Sequence, residues 1–245
     1  MTALLGQMKL EAMLWTRRKE TMFWTLAFPV FFILLFGTVW KNDTWNGAPT
    51  ISYLLPGITV MALMMTCVVS TASWVVEERE KGIYRRLSLT PLSAYALLGG
   101  QIGIRYVVVL LQAAVLIAIG VGLFGADVSG SALLFLAVLT LGVLSFLSVG
   151  FLLTVVARSA KSAQPLAMIV LFILMFLGGC FYPLDVIPAF LVPLCHALPS
   201  TRLCSALGQV AIGGMGPTAI WEDLLVLGAW FVACSAVTVR FFRWE

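Results

Sequence analysis

Long apolar runs alternate with short polar segments along this chain. An apolar α-helix of about 20 residues, rising 1.5 Å per residue, is long enough to cross a hydrocarbon core about 30 Å thick. The pattern therefore predicts an all-α membrane protein with six transmembrane helices. The predicted spans are residues 21–40, 51–76, 94–124, 132–157, 165–182 and 224–239.

Composition agrees with this pattern and excludes an ordinary soluble domain. Hydrophobic residues make up 61% of the 245 positions, whereas soluble domains contain about 45–50% apolar residues. The net charge of +4 does not indicate a nucleic-acid partner, because the basic residues lie beside the apolar runs and form no continuous basic face. The whole chain, residues 1–245, is interpreted as one transmembrane domain.

The basic residues also predict the topology. Cytoplasmic loops of membrane proteins carry an excess of Lys and Arg. With six spans, both termini become cytoplasmic and only Lys41 and Arg202 face outward. The remaining thirteen of the fifteen basic residues then share the cytoplasmic side of the cell membrane, namely Lys9, Arg17, Arg18, Lys19, Arg79, Lys81, Arg85, Arg86, Arg105, Arg158, Lys161, Arg240 and Arg243.

Two further segments flank the spans. Residues 1–20 place Leu4, Met8, Ala12 and Trp15 at helical spacing beside basic residues, which favours a helix in the membrane interface, although a plain lead-in to span one fits too. Residues 183–222 are apolar in part but are broken repeatedly by proline and glycine. They predict two short re-entrant helices on the outer side, Ile187–Ala197 and Thr201–Ile212.

The most polar stretch is residues 77–93, between spans two and three. It carries seven charges in ten positions, from Glu77 to Arg86. Such a block is expected to lie in water as a cytoplasmic loop, where it offers a docking surface for another protein; an unpartnered solvated loop is the alternative.

These features together resemble the transmembrane permease subunit of ABC-2 type exporters, a family that exports drugs, lipids and polysaccharides. The resemblance rests on two motifs. One is the charged run Glu78-Arg79-Glu80-Lys81-Gly82 followed by the turn Thr90-Pro91-Leu92-Ser93. The other is the proline-punctuated region after span five, with Phe181-Tyr182-Pro183, Ile187-Pro188 and Leu198-Pro199-Ser200-Thr201.

The resemblance implies a coupling helix, Ile83–Leu89, seated in a cleft of a separate ATPase subunit. The residues it assigns to this coupling region are Glu78, Arg79, Glu80, Lys81, Gly82, Ile83, Tyr84, Arg85, Arg86 and Leu87. It also implies two ATPase copies, a second permease subunit and contact with membrane lipid. No G-x-x-x-x-G-K-[ST] run occurs in the chain, so ATP and Mg²⁺ are expected on the partner, with no cofactor or metal in this chain.

The same resemblance places a re-entrant exit region on the outer side. Its residues are Phe181, Tyr182, Pro183, Pro188, Pro199 and Thr201. Phe181 and Tyr182, together with Phe190, are suited to an exit for an amphiphile, although anchoring at the membrane interface explains them equally well. Polar residues inside the spans, such as Gln112 and Thr140, are interpreted as packing residues.

Two other functional classes remain as alternatives. An ion-coupled carrier or channel usually needs an ionisable group inside the membrane, and each Asp and Glu lies in a loop or near the end of a span. A membrane enzyme needs a clustered catalytic set, and the single histidine, His196, has no evident partner. Arg105 is expected to reach the inner interface as an anchor, with a substrate contact as the alternative. Cys195 and Cys204 lie in one outer loop, where a disulfide is conceivable.

Overall fold

The computed structural model describes residues 2–17, 19–41, 43–45, 48–87, 94–128, 130–181 and 187–241. Within these residues the fold is helical apart from one antiparallel pairing of two-residue strands, β1 (Thr44–Trp45) and β2 (Ala48–Pro49). The α-helices are α1 (Thr2–Arg17), α2 (Lys19–Val39), α3 (Thr50–Met64), α4 (Ser70–Glu80), α5 (Ile83–Leu87), α6 (Ala94–Phe124), α7 (Ala132–Val156), α8 (Ala160–Leu177), α9 (Val192–Ala197), α10 (Pro199–Ala211) and α11 (Trp221–Phe241).

Several predicted features lie outside the described residues. These are the end of the polar stretch, Ser88 to Ser93, and the exit residues Tyr182 and Pro183, as well as the basic residues Arg18 and Arg243. The end of the predicted coupling helix at Leu89 is among them.

Among the described residues, five helices are long and apolar enough to cross a membrane. They are Thr50–Glu80, Gly99–Phe124, Ala132–Val156, Ala160–Leu177 and Trp221–Phe241. In α2 the apolar part is the shorter Phe23–Val39. The prediction of an all-α protein with several membrane-crossing helices is confirmed, and the fold defines a multi-pass membrane protein.

The central helix of the fold is the second predicted span. Helices α3 and α4 are joined without a break by a π-helical turn, Met65–Val69, so that one helix continues from Thr50 to Glu80. In this helix 83% of the apolar stretch is buried inside the chain, compared with 11% in α11. The central helix is surrounded by other helices, because it contacts α2, α6, α7, α8 and α10.

The prediction that a loop begins at Glu77 was wrong. The sequence placed a solvated loop from Glu77 onward, but α4 continues through Glu80 and the Glu78 side chain is buried. Glu, Arg and Lys are good helix formers, and the first glycine after the start of the charged stretch is Gly82. No residue before Gly82 in this stretch is therefore expected to end the helix.

The π-helical turn lies where α7 approaches most closely. A Cβ added at Gly150 of α7 would lie only 2.3 Å from the carbonyl oxygen of Cys67 in the turn. Glycine therefore allows the backbones of α7 and the central helix to pack in direct contact, as small residues do in membrane helix pairs.

The turn between α7 and α8 is shorter than predicted. The Ser159 hydroxyl accepts a hydrogen bond from the Ser162 N–H, and the Ser162 side chain accepts one from the Ser159 N–H. This reciprocal capping starts α8 at Ala160 and not at Pro165. The helix ends at Leu177, five residues before the predicted end.

The proline-rich region contains two short helices, as predicted, with different bounds. The first is only six residues long, Val192–Ala197, and has Pro193 in its first turn. The second starts at Pro199, which occupies the first helical position where its missing N–H costs nothing. Helix α10 packs against α3, α7 and α11.

Candidate functional site

The polar stretch reverses direction at Lys81 and Gly82. The N–H groups of these residues donate to the carbonyls of Glu77 and Arg79, both at 3.0 Å, and close the end of α4. Gly82 has a φ of +64°, a left-handed conformation that glycine adopts without strain. This reversal carries the chain directly into α5. We call the region Glu77–Leu87 the charged turn.

One face of the charged turn is buried by a hydrogen-bonded network. The Tyr84 hydroxyl donates to Glu78 Oε2 at 2.8 Å, and Gln101 Nε2 donates to the same oxygen at 2.9 Å. Gln101 Nε2 also lies 3.1 Å from the Tyr84 hydroxyl oxygen. The network joins α4, α5 and α6, and each of its three side chains is at most 6% exposed.

The electrostatics of this network favour a neutral Tyr84. Burial and, after it, the neighbouring Glu78 carboxylate raise the pKa of Tyr84 above its ordinary value. The phenol therefore keeps its proton and remains a donor to the carboxylate.

Arg105 lies next to this network, one turn beyond Gln101 on α6. Its Nη1 donates to the Gln101 carbonyl at 3.0 Å, and its guanidinium stands 5.6 Å from the centre of the Trp74 ring. Glu11 and Glu78 contribute attractive electrostatic interactions with this guanidinium. Arg105 is only 5% exposed, so the expectation that its side chain reaches water at the interface was wrong. Buried carboxylates hold it inside.

Arg79 points in another direction and fastens the charged turn to α7. Its Nη1 donates to the carbonyl of Thr154 at 3.1 Å, and its Nη2 donates to that of Ala157 at 2.7 Å. These carbonyls belong to the last turn of α7, where backbone acceptors have no partner within the helix. A cation in this position also complements the negative end of the helix dipole.

The opposite face of the charged turn is open. Glu80, Lys81 and Arg86 are exposed, and Lys81 Nζ forms an ion pair with Glu77 one turn earlier. Arg86 Nη2 donates to the Lys81 carbonyl at 3.0 Å. The exposed face of the charged turn thus carries charges of both signs, while Glu78 and Tyr84 attach its buried face to the bundle. Ile83 is partly buried, and Arg85 and Leu87 belong to α5.

A cavity of about 480 Å³ lies at the opposite end of the central helix. Its wall combines the start of α3, the residues after α8 and one face of α10. Polar and small residues line it, including Tyr53, Gly57, Thr201, Ser205 and Gln209. Of the predicted exit residues, Thr201 is part of this wall. Pro199 is buried and begins α10, and Pro188 is exposed and lies outside the wall.

Of the aromatic residues predicted for the exit, Phe181 and Phe190 do not come together in the structure. Phe181 packs against Phe32 and Phe36 of α2, with ring centroids 5.7 and 5.6 Å away. Phe190 is 78% exposed. The two residues are therefore placed in different surroundings, one in an aromatic cluster and the other on the surface.

The cysteine arrangement differs from the one considered from the spacing. Cys195 is fully buried on α9, whereas Cys204 Sγ lies 3.3 Å from Cys180 Sγ. The hydrogen bond with Cys180, followed by burial, raises the pKa of Cys204 well above its ordinary value. Cys204 is therefore a thiol near neutral pH, and its neighbour is Cys180.

Sequence reasoning missed a polar bridge in the middle of the bundle. Gln112 Nε2 donates to the Thr25 carbonyl at 2.7 Å, and the Thr66 hydroxyl donates to Gln112 Oε1 at 3.0 Å. The bridge connects α2, α6 and the π-helical turn. The available signal was the spacing of Gln101, Arg105 and Gln112, which places three polar residues along a helix that is otherwise apolar.

Comparison with known proteins is consistent with this architecture. The family model described as ABC-2 type transporter matches residues 5–210. YvfS of Bacillus subtilis (strain 168), whose name gives it as a transport permease, is 26% identical over 223 residues, which are 88% of this chain and 87% of that protein.

Two proteins of Escherichia coli (strain K12) are also similar. The inner membrane transport permease YhhJ is 27% identical over 203 residues, and YbhS, named Probable multidrug ABC transporter permease, is 24% identical over 203 residues. Each match covers 82% of this chain and 52% of the relative, so the chain spans about half the length of these two proteins.

The multi-pass helical fold and the family match lead to one identification. This chain belongs to the ABC-2 type transporter family, as its resemblance to ABC-2 permeases predicted. It has the membrane character of an ABC transporter permease.

Proposed function

We propose that this chain is the membrane-spanning subunit of an ATP-driven exporter, which moves an amphiphilic drug, lipid or glycan out of the cytoplasm or the inner leaflet. The observation that carries the proposal is the charged turn. It is exposed on one face through Glu80, Lys81 and Arg86 and is bound to the bundle on the other through Glu78 and Tyr84. A partner protein that binds the exposed face and moves can therefore displace the helices of the bundle through the buried face.

The central helix offers a direct route for that movement. It contains 31 residues from Thr50 to Glu80, which corresponds to roughly 46 Å at 1.5 Å per residue. Its charged end carries Glu78, and its other end contributes Tyr53 and Gly57 to the cavity. A displacement of α5 therefore acts on a helix that extends to the cavity.

The energy source in this proposal is a separate ABC ATPase in two copies, which bind ATP and Mg²⁺. Ile83–Leu87 is the coupling helix that contacts the ATPase, and a second permease subunit completes the transport path. Mixed charges at the rim of a protein interface contribute to orientation and to the association rate. Glu80, Lys81 and Arg86 are suited to such a rim.

The proposed topology has six spans in the cell membrane, with α2 as the first span and both termini in the cytoplasm. The charged turn and the α7–α8 turn then share the cytoplasmic side, which agrees with the hydrogen bonds from Arg79 to the end of α7. Helices α9 and α10 form the outer re-entrant pair.

The proposal of an amphiphilic substrate rests on the cavity and on one relative. The cavity wall offers the hydroxyl and amide groups of Ser205 and Gln209 beside apolar side chains such as Ile212 and Met215. A ligand with a polar and an apolar part would match such a wall. The name of YbhS gives that protein as a multidrug permease.

A second candidate is proton-coupled transport. It is favoured by one observation, namely the burial of the carboxylates Glu11 and Glu78 near Arg105. Ionisable groups inside a membrane protein frequently serve proton transfer. Such a carrier would work without an ATPase partner.

Reconstitution in liposomes distinguishes the two candidates. The chain is inserted with or without a candidate ABC ATPase partner, and efflux of a fluorescent amphiphile is measured with ATP or with a pH gradient. The exporter proposal predicts transport only with both chains and ATP. Transport driven by the pH gradient in liposomes that contain this chain alone would contradict it and support the carrier.

A further inference from the structure

Two cysteines at the cavity wall are in direct contact. All five cysteines of the chain lie in the part that the structure describes, and all are free thiols there. Cys180 follows the end of α8, and Cys204 lies in the middle of α10. Their sulfur atoms are 3.3 Å apart.

The backbone around Cys180 is held tightly in place, so this contact follows from the packing. A Cβ added at Gly57 of α3 would lie 1.7 Å from the Cys180 carbonyl oxygen, and one added at Gly178 would lie 2.4 Å from the Ser200 hydroxyl. The segment that carries Cys180 is therefore wedged between α3 and α10. Its side chain meets Cys204 across this narrow gap.

Both cysteines lie at the wall of the cavity of about 480 Å³. Cys204 is partly exposed, whereas Cys180 is buried with 3% of its surface exposed. Cys195, in contrast, is fully buried on α9. This pair therefore differs from Cys67, Cys195 and Cys234 in that its two sulfur atoms are in direct contact.

We propose that Cys180 and Cys204 are a disulfide-forming pair, oxidised by exchange with a disulfide-bearing molecule on the outer side of the membrane. The thiolate of one cysteine attacks a sulfur of the donor, forms a mixed disulfide and releases one donor thiol. The second cysteine then displaces the other donor thiol and forms the S–S bond. The two cysteines lose two electrons and two protons, and the donor disulfide is reduced to two thiols.

The bond would connect two elements that pack against each other, α8 and α10. It joins residues 24 positions apart, which encloses α9 and the turn before it in a covalent loop. The end of α8 would be fixed to α10 at the cavity wall. Oxidation would then limit how far this wall can open.

Maleimide counting by mass spectrometry tests the proposal on the full-length protein. Membranes are incubated with oxidised glutathione, then denatured in detergent with excess N-ethylmaleimide, either directly or after reduction. Without reduction, maleimide is expected on Cys67, Cys195 and Cys234 only. After reduction it is expected on all five cysteines, and digestion without reduction should yield the linked peptide containing Cys180 and Cys204.

Two variants make the assignment specific. Cys180→Ser should abolish the linked peptide, whereas the matched variant Cys195→Ser should leave it unchanged. Maleimide on all five cysteines of the oxidised protein would overturn the proposal. So would a glutathione adduct on Cys204 without the linked peptide, or a linked peptide that survives Cys180→Ser and is lost in Cys195→Ser.

Discussion

Tyr84 connects the short helix α5 to the two long helices beneath it. Its hydroxyl donates to Glu78 of α4, and Gln101 of α6 completes the triangle. Hydrogen bonds to a charged group contribute about 1.5–3 kcal/mol to stability, compared with about 0.5–1.5 kcal/mol for neutral pairs. Removal of this hydroxyl should therefore lower the free energy of unfolding more than removal of a hydroxyl that bonds only a neutral group.

Tyr84→Phe should lower the unfolding midpoint of the purified protein more than Tyr106→Phe does. The Tyr106 hydroxyl forms a hydrogen bond of 2.8 Å with the neutral Thr140 hydroxyl, which makes it a matched control. The expected losses are about 2 and about 1 kcal/mol, respectively. Thermal unfolding in detergent measures both. An equal or smaller loss in Tyr84→Phe would show that the Glu78 contact is unimportant.

Arg79 is expected to stabilise the end of α7. Arg79→Gln should remove the two hydrogen bonds to Thr154 and Ala157 and increase backbone hydrogen exchange over residues 150–157, at a cost of about 1–2 kcal/mol. Arg86→Gln is the control, because Arg86 donates to Lys81 within the charged turn. Unchanged exchange in Arg79→Gln would mean that α7 ends stably without this cap.

At the scale of elements, close helix packing depends on particular glycines. Gly57→Ala should destabilise the protein by about 1–3 kcal/mol or more, because the new Cβ would lie 1.7 Å from the backbone oxygen of Cys180. Gly122→Ala on α6 meets no atom within 4 Å and should be neutral or slightly stabilising. Unfolding midpoints of the two variants provide the comparison, and equal midpoints would contradict the packing.

The elements differ in how well the sequence predicts them. Helix α6 was predicted with its observed bounds, Ala94–Phe124, because a long apolar run between polar turns has few alternatives. The end of α4 was predicted wrongly, because charged residues are both good helix formers and typical of loops. Burial of Glu78 depends on Gln101, which is 23 positions away, and hydropathy carries no information about such a partner.

The candidate site was likewise predictable from the sequence only in part. The charged turn was recognisable from its residues, but the sequence could not show which charges face inward. Arg79 reaches α7 and Arg105 is held by buried carboxylates because of tertiary packing. Similarly, loop spacing suggested Cys195 as the neighbour of Cys204, whereas the fold supplies Cys180 from another segment.

At the scale of the whole molecule, the six-span topology predicts opposite sides for two turns. In a variant that lacks the native cysteines, a cysteine at Asp127 should react with a membrane-impermeant maleimide in intact cells. A cysteine at Lys161, in the first turn of α8, should react only after permeabilisation. Labelling of the Asp127 position only after permeabilisation would contradict the topology.

The central claim is that the charged turn couples this chain to its ATPase. The most direct measurement is co-purification with that ATPase, together with substrate-stimulated ATP hydrolysis, for variants of the exposed Glu80. Glu80→Lys should weaken both by roughly two- to tenfold and more than Glu80→Gln, because repulsion is added to a lost attraction. Asp127→Lys, with the same change of charge at the other end of the bundle, should retain both. If Glu80→Lys inserts normally and keeps full assembly and stimulated hydrolysis, the charged turn is not the coupling element.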